Sequence, residues 1–231
     1  MNGQPVRSYS TRFEVDEDPI SEGGMWLNGQ TDGIDWIDCM TQNGGEVCGK
    51  VSRMTVAERR AEQVHDEAGG DEGTTAGDYD DPAAVLTGEW GPNQHAKATV
   101  FCRNPTSKYF QEVELRLRSE IEPHNCTGYE VFWRALKTDE GYAEIVRWNG
   151  PIGDFTSLAR KVGAEFGVKD GDVVEATIEG NVLKGFINGV EVISATDDVF
   201  ATGSPGVGFN FFVSTTNVDH GFTSFEVHTY E

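Results

Sequence analysis

Short runs of β-branched and aromatic residues, separated by glycine-rich turns, recur along most of this 231-residue chain. Such runs are typical of β-strands, and many short strands at turn-marked spacing indicate a sandwich, not a fold that alternates strands with helices. We therefore predict an all-β fold, a two-sheet antiparallel jelly-roll sandwich, with 1–231 in a single domain. The predicted strands are 9–15, 33–40, 46–53, 84–90, 96–103, 109–119, 128–137, 142–148, 172–179, 182–188, 191–195, 205–214 and 220–229.

One segment departs from the strand pattern. Residues 55–58 match a capping box, in which Thr and Glu side chains satisfy free N–H groups at a helix start, and two glycines at 69–70 supply a stop. We predict one short surface helix over about 56–68. The acidic stretch 66–81 contains no basic residue. Because EF-hand spacing is absent, its composition favours a solvated loop over a calcium loop. Helix and loop form an insertion at about 55–82.

Acidic side chains dominate the charge of the chain. The 39 Asp and Glu residues against 18 Lys and Arg residues give a formal net charge of −21. Nucleic-acid backbones and anionic membrane surfaces need clustered positive charge, so neither is an expected partner. No segment approaches the ~20 apolar residues of a membrane span, and the first residues lack the apolar region of a signal peptide. An acidic surface instead favours neutral ligands and divalent cations.

Two of the four cysteines flank a hairpin signal. Asn43-Gly44 is a strong two-residue turn motif, and a two-residue turn would place Cys39 opposite Cys48. Counting outward from the turn, this is a non-hydrogen-bonded pair, whose Cα atoms lie about 4.5 Å apart, within the disulfide range. We therefore predict a Cys39–Cys48 disulfide, and free, buried thiols at Cys102 and Cys126. One disulfide indicates an oxidising destination, so we expect an extracellular or surface-exposed protein.

The most specific pattern lies in residues 172–209. Three strands join through Glu179-Gly180-Asn181 and Asn188-Gly189, then an Asp-Asp pair and a Gly-Ser-Pro-Gly turn lead into the next strand. This passage resembles the concanavalin A-like lectin/glucanase superfamily, in particular its laminin G-like jelly rolls, and the resemblance is specific over about 128–227. It implies two antiparallel sheets, one of them concave. The superfamily includes lectins, carbohydrate-binding modules, glycoside hydrolases, polysaccharide lyases and adhesive modules, so fold does not determine function.

The predicted strand 109–119 is the place to test for catalysis. Glu112, Glu114, Arg116 and Arg118 alternate with apolar residues and are predicted to share the face opposite the core. Family 16 glycoside hydrolases place Glu-x-Asp-x-Glu on such a strand, with the outer glutamates as nucleophile and general acid. Here the third position is Arg116, which donates no proton near neutral pH, and arginine neighbours lower carboxyl pKa values. Glu112 and Glu114 are therefore catalytic candidates only if the chain is an enzyme.

Arginines and loop aromatics are the candidate ligand-binding groups. The arginines would form a basic groove for an acidic sugar, or else a cross-strand salt-bridge ladder on a solvated face. Sugars stack on aromatic rings, while Asn and Arg side chains bind their hydroxyls. The residues predicted to bind ligand are Arg116, Arg118, Arg134, Arg147, Trp148, Asn149 and Trp90.

The resemblance also implies a structural Ca²⁺ near the terminal strands. Many proteins of this superfamily hold the ion with an acidic residue near the first strand and an Asp at the start of the last one. The matching residues here are Glu14, Asp16 or Glu17 with Asp219. Carboxylate oxygens suit this ion.

Together these observations favour a lectin-like domain that binds carbohydrate, or another surface ligand, without catalysis. A polysaccharide-degrading hydrolase or lyase that uses Glu112, Glu114 and the nearby arginines is the first alternative. A virion decoration or other surface-assembly protein with a lectin-like fold is the second, and it would form a homo-oligomer or larger assembly.

Overall fold

The computed structural model describes residues 5–29, 36–49, 81–108, 110–210 and 218–231. These residues form strands that we number in chain order. They are β1 Arg7–Thr11, β2 Trp26–Asn28, β3 Cys39–Gln42, β4 Glu46–Gly49, β5 Ala83–Leu86, β6 Asn93–Cys102, β7 Glu112–Glu122, β8 Asn125–Arg134, β9 Tyr142–Gly150, β10 Phe155–Val162, β11 Val173–Glu179, β12 Val182–Ile187, β13 Val190–Thr196, β14 Ser204–Asn210 and β15 His220–Tyr230.

The strands form two antiparallel sheets packed as a sandwich. The eight-stranded back sheet has the order β13-β12-β11-β6-β15-β4-β3, with β1 also paired to β15. The seven-stranded front sheet has the order β10-β9-β8-β7-β14-β5-β2. The predicted all-β sandwich is confirmed, and the described ranges contain no helix. The predicted helix at 56–68, with nearly all of the 55–82 insertion, lies outside the described residues.

The core lies between the sheets and follows from period-two alternation. Along β7, Val113, Leu115 and Leu117 face inward and are fully buried. They pack in one cluster with the inward residues of β6, such as Ala98 and Val100. Burying one such aliphatic side chain contributes about 1.5–3 kcal/mol. This alternation leaves the other face of each sheet for polar groups. In the described part of the chain, no helix is long and apolar enough to span a membrane.

Two strands, β2 and β10, were not predicted from the sequence. The three-residue β2 is too short to show a pattern, and the predicted strand 33–40 meets only the start of β3. β10 is an edge strand whose side chains are mostly half-buried or exposed, and it includes Arg160 and Lys161. Edge strands often carry charges that block further pairing, so the apolar alternation that marks inner strands is missing.

The predicted Cys39–Cys48 disulfide is wrong because the hairpin loop has three residues and not two. Gln42 pairs with Glu46, which shifts the register by one residue, so Met40 faces Cys48 and Cys39 faces Gly49. Such a shift moves a side chain to the opposite face of a sheet. Both thiols are therefore free and buried. The prediction of free, buried thiols at Cys102 and Cys126 is confirmed.

Candidate functional site

The outer face of the front sheet carries a row of charged side chains. β7 contributes Glu112, Glu114 and Arg116, which share this face as predicted, and β8 and β9 add further members through cross-strand pairing. We call the set the front strip: Asp81, Glu112, Glu114, Arg116, Glu130, Tyr142 and Glu144. The strip is not a solvated groove, because its side chains are buried, with Arg116 at 0% exposure.

Arg116 is the centre of the front strip. Its Nη2 atom lies 2.7 Å from Glu130 Oε2, 3.4 Å from Glu114 Oε2 and 3.6 Å from Asp81 Oδ1. Burial raises the pKa of Asp81 and that of Glu114 well above the ordinary values, and one guanidinium does not offset three carboxyls. Burial therefore favours the protonated form of each carboxyl in this carboxyl triad (Asp81, Glu114 and Glu130).

Aromatic side chains enclose the carboxyl triad. The Arg116 guanidinium lies 4.8 Å from the Trp36 ring centroid, and Trp148 Nε1 donates a 2.8 Å hydrogen bond to Glu130. The Trp36 and Trp148 centroids are 4.5 Å apart, and Phe155 lies 5.1 Å from Trp148. Trp148 is only 3% exposed. It is thus a wall of the strip and not a ring on which a sugar could stack.

Glu112 forms a second centre on the same face. Its carboxyl group accepts hydrogen bonds from the Tyr142 hydroxyl and, at 2.7 Å, from Asn210 Nδ2. Burial raises the pKa of Glu112 to about 7, and these two donors only partly oppose the shift. Farther along, Glu144 accepts from Ser157 Oγ at 2.6 Å and pairs with Arg160. The strip therefore satisfies most of its own polar groups.

Arg118 does not share the face of Arg116. The register of β7 against β8 shifts between Leu117 and Glu120, and Arg118 has a φ of 47°. This bulge turns its side chain away from the front strip. The guanidinium instead donates to three backbone carbonyls, of Pro92 at 2.7 Å, Gly180 at 2.8 Å and Phe200 at 2.9 Å. Arg118 thereby joins the front sheet to turns of the back sheet.

The other two arginines also point elsewhere. Arg134 lies on the front-strip face but donates to the Glu140 carbonyl at 3.0 Å and the Ser107 carbonyl at 3.1 Å. Arg147 lies on the opposite face of β9 from Trp148 and pairs with Asp197. The four predicted arginines therefore do not converge on one basic groove.

The remaining predicted ligand residues also have internal partners. Trp90 is 8% exposed, and the Arg7 guanidinium lies 3.8 Å from its ring centroid. Asn149 is exposed, but its Nδ2 donates to Asp154 Oδ1 at 3.0 Å. Trp90 therefore offers no open ring for stacking, and the Asn149 amide is already engaged by a neighbouring side chain.

The acidic residues predicted for calcium have separate roles. Asp16 Oδ1 accepts from the Gly44 amide at 2.7 Å, and Glu17 Oε2 accepts from two backbone amides. Asp219 Oδ2 accepts from Asn104 Nδ2 at 2.9 Å, and Glu14 is exposed. Across the described ranges, the group with three metal-type ligands within 4.8 Å of one another is instead the carboxyl triad.

An open pocket lies on the outer face of the back sheet. Glu14 and Glu17, two of the predicted calcium residues, line it, but sequence reasoning placed no carbohydrate there. Its volume is about 860 Å³, and β1, β6, β15 and the segment 12–23 enclose it. We call it the N-terminal pocket. Its lining consists of four hydroxyl residues, four glutamates, two cations and three others: Ser10, Thr11, Thr99, Ser224, Glu14, Glu17, Glu22, Glu226, Arg12, Lys97, Val15, Gly23 and Phe225.

Strand pairing positions the floor of the N-terminal pocket. Glu226 of β15 lies between Ser10 of β1 and Lys97 of β6, and Ser224 pairs with Thr99. Paired residues of neighbouring strands share a face, so these polar groups project together. The wall is held by the Glu22 carboxylate, which accepts from the Tyr9 and Thr11 hydroxyls and from Trp26 Nε1.

Comparison with known proteins supports the fold. No protein-family model matches the chain, and no curated protein matches it. Among solved structures, the Emp47p carbohydrate recognition domain has 10% identity, a TM-score of 0.55 and 96% coverage of each chain. The VIP36 exoplasmic/lumenal domain, in its Ca²⁺/Man3GlcNAc-bound form, has 11% identity, a TM-score of 0.54, and covers 96% of this chain and 91% of its own. The chain has the concanavalin A-like jelly-roll fold.

A third solved structure of this fold comes from work on endo-acting O-glycanases of human gut microbiota. It has 10% identity and a TM-score of 0.55, and the match covers 99% of this chain and 100% of that one. The sequence-based assignment to the concanavalin A-like jelly rolls is thus confirmed at the level of fold.

Proposed function

We propose that this protein is a lectin-like domain that binds a glycan, without catalysis, in the N-terminal pocket. The observation that carries the proposal is the open, 860 Å³ cavity lined by hydroxyl, carboxylate and cationic side chains. Its volume lies within the roughly 300–1,000 Å³ of small-ligand sites. The predicted aromatic and arginine residues offer no comparable opening, because most of them are buried or paired.

The chemistry of the lining suits a polyhydroxylated ligand. Sugar hydroxyls both donate and accept hydrogen bonds, as do the hydroxyls of Ser10, Thr99 and Ser224. Carboxylates such as Glu226 act only as acceptors, and Lys97 acts only as a donor. A hydrogen bond to a charged group contributes about 1.5–3 kcal/mol, so a few such contacts give measurable affinity.

The fold adds support from proteins with named ligands. The Emp47p domain is described as a carbohydrate recognition domain, and the VIP36 structure contains Man3GlcNAc. By the same comparison we propose an extracellular or surface-exposed location. The sequence argument for this location was the predicted disulfide, and because Cys39 and Cys48 are free it no longer applies. The homo-oligomeric surface assembly stays a prediction.

A calcium requirement is also part of this proposal. The VIP36 structure contains Ca²⁺, and an Emp46p domain of the same fold contains potassium. If Glu14, Asp16, Glu17 or Asp219 hold Ca²⁺, EDTA should lower the melting temperature and added Ca²⁺ should restore it. An unchanged melting temperature would count against a structural ion.

Isothermal titration with neutral oligosaccharides, chosen from a glycan array, tests the function. We expect Thr99→Ala and Ser224→Ala to weaken binding at least tenfold each, since each removes a hydroxyl group from the floor. Glu191→Gln is the matched control, because Glu191 is exposed on the same sheet but outside the pocket. An array without hits, or variants that bind as wild type, would contradict the proposal.

A second candidate function is glycoside hydrolysis at the carboxyl triad. Ligand oxygens of Glu114 and Glu130 lie within 4.8 Å, close to the ~5–5.5 Å separation of retaining glycosidases. Burial raises the pKa of Glu114, as a general acid requires. Burial also raises the pKa of Glu130 although Arg116 opposes that shift, so Glu130 would have to lose its proton to act as the nucleophile. The O-glycanase structure shares this fold.

Release of reducing ends from mucin O-glycans and a polysaccharide panel tests this second candidate. Glu114→Gln and Glu130→Gln should each abolish release, whereas Glu120→Gln, an exposed position on the same strand, should not. Absence of release by the wild type would exclude the hydrolase.

A further inference from the structure

The N-terminal pocket has an uneven charge. Four glutamates line it against one arginine and one lysine, so its formal charge is −2. Glu17 and Glu22 accept hydrogen bonds from several protein donors and form the wall. The whole chain adds a negative background, with a net charge of −21. A concave site lined by one sign of charge concentrates ligands of the opposite sign.

The two cations of the pocket do little to offset this charge. Lys97 Nζ lies 4.0 Å from Glu175 Oε1, and Glu175 is not part of the lining. Arg12 and Glu14 are both exposed at the rim, so water screens the two charges alike. A ligand on the floor therefore experiences a more negative field than the count of lining charges implies.

Two carboxylates remain open to a ligand. Glu14 is exposed at the rim, and Glu226 is exposed on the floor, where its Oε1 atom lies 2.7 Å from His228 Nε2. Glu226 shares its face of the sheet with Ser10 and Ser224, whose hydroxyls can bind sugar hydroxyls. Hydroxyl groups beside carboxylates that can accept further hydrogen bonds form a site for a ligand that is both polyhydroxylated and cationic.

We infer that the N-terminal pocket selects an amino sugar with a free, protonated amine, of the glucosamine type, over neutral or acidic sugars. This inference rests on the proposed glycan-binding function and names its ligand class. The ammonium group would donate charge-assisted hydrogen bonds to Glu226 and Glu14, which are stronger than neutral ones. Acetylating the amine removes its charge, and a uronate places like charges together.

Titration with three tetrasaccharides, in Ca²⁺-containing buffer and again in EDTA, tests the inference: a glucosamine tetramer, its N-acetylated form and a galacturonate tetramer. At low salt and pH 6, we expect the amine form to bind at least tenfold more tightly than the N-acetylated form, with no uronate binding. In 0.5 M NaCl this advantage should shrink, because salt screens exposed charges. Glu226→Gln and Glu14→Gln should shrink it as well, while Glu191→Gln should preserve it.

The outcomes separate this inference from the function on which it rests. Equal or tighter binding of the N-acetylated form, or preferential binding of the uronate, overturns the amine selectivity while leaving glycan binding intact. Binding of none of the three, together with an array without hits, overturns the glycan-binding function itself. An amine advantage that Glu226→Gln and Glu14→Gln both leave unchanged places the ligand outside this pocket and also overturns the inference.

Discussion

Glu112 should make the protein less stable as the pH rises from acid to neutral. Burial raises the pKa of this carboxyl from its ordinary 4.5 to about 7. In the unfolded chain the group loses its proton near pH 4.5, whereas in the folded chain it keeps the proton until about pH 7. The folded state then binds more protons, so stability is full below about pH 4.5 and falls through pH 7. A pKa difference of about 2.5 corresponds to about 3 kcal/mol.

The variant Glu112→Gln should remove this part of the pH dependence. Gln is neutral at every pH, and its carbonyl oxygen can accept the Tyr142 hydrogen bond. Its amide N–H groups would face Asn210 Nδ2, but the Asn210 Oδ1 atom is buried without a hydrogen-bond partner. Rotating the Asn210 amide by 180° turns that oxygen towards the new donor. The variant should therefore fold with its hydrogen bonds intact.

Urea unfolding followed by tryptophan fluorescence between pH 4.5 and 7.5 measures the effect. The free energy of unfolding of Glu112→Gln, relative to wild type, should rise by about 3 kcal/mol across this range. The raised pKa values of Asp81 and Glu114 act in both proteins and cancel, except for the minor part that the Glu112 charge contributes to them. Glu120→Gln, at an exposed position of β7, should follow the wild-type profile. Parallel profiles for wild type and Glu112→Gln would refute the reasoning.

Three further predictions concern stability and covalent state. Arg118→Met should lower the free energy of unfolding by about 3–5 kcal/mol, since it leaves three carbonyls without their donor; urea unfolding checks this, and a loss below 1 kcal/mol would contradict it. Gly206→Ala should destabilise the protein by about 2–4 kcal/mol, because a Cβ would lie 2.3 Å from the Ala84 carbonyl oxygen; a wild-type melting temperature would contradict this. Denatured, unreduced protein should react with four equivalents of a thiol reagent, since Cys39 and Cys48 are free; two equivalents would indicate a disulfide.

The strands and the face of β7 could be predicted because both depend on local sequence. Alternation of charged and apolar residues correctly placed Glu112, Glu114 and Arg116 together. Arg118 departs from this alternation, because the bulge that turns its side chain depends on how β7 pairs with β8. The three-residue loop before Glu46 likewise moved Cys48 to the other face. One extra residue in a loop or bulge moves every later side chain of the strand to the opposite face of the sheet. Residue types alone do not reveal that extra residue.

The N-terminal pocket could not be predicted, because its parts meet only through pairing of distant strands. Ser10 and Glu226 are register partners although they stand near opposite ends of the chain. Alternation within 96–103 and 220–229 does show that Lys97, Thr99, Ser224 and Glu226 lie on polar faces. It does not show which strands are neighbours, so a polar stripe on one strand looks like ordinary solvated surface.

The two charged surfaces of the sandwich differ in burial, since the front strip is buried and the N-terminal pocket is open to solvent. We therefore expect them to have different roles. In the front strip, burial raises the pKa values of Glu112 and Glu114, and these side chains bind protein donors, so they contribute pH-dependent stability. In the N-terminal pocket, Glu14 and Glu226 are exposed beside hydroxyl side chains. Salt should therefore affect the two surfaces differently, because screening acts on exposed charges more than on buried ones. Raising the NaCl concentration should weaken binding of an amino sugar while leaving the Glu112-dependent slope of stability against pH nearly unchanged.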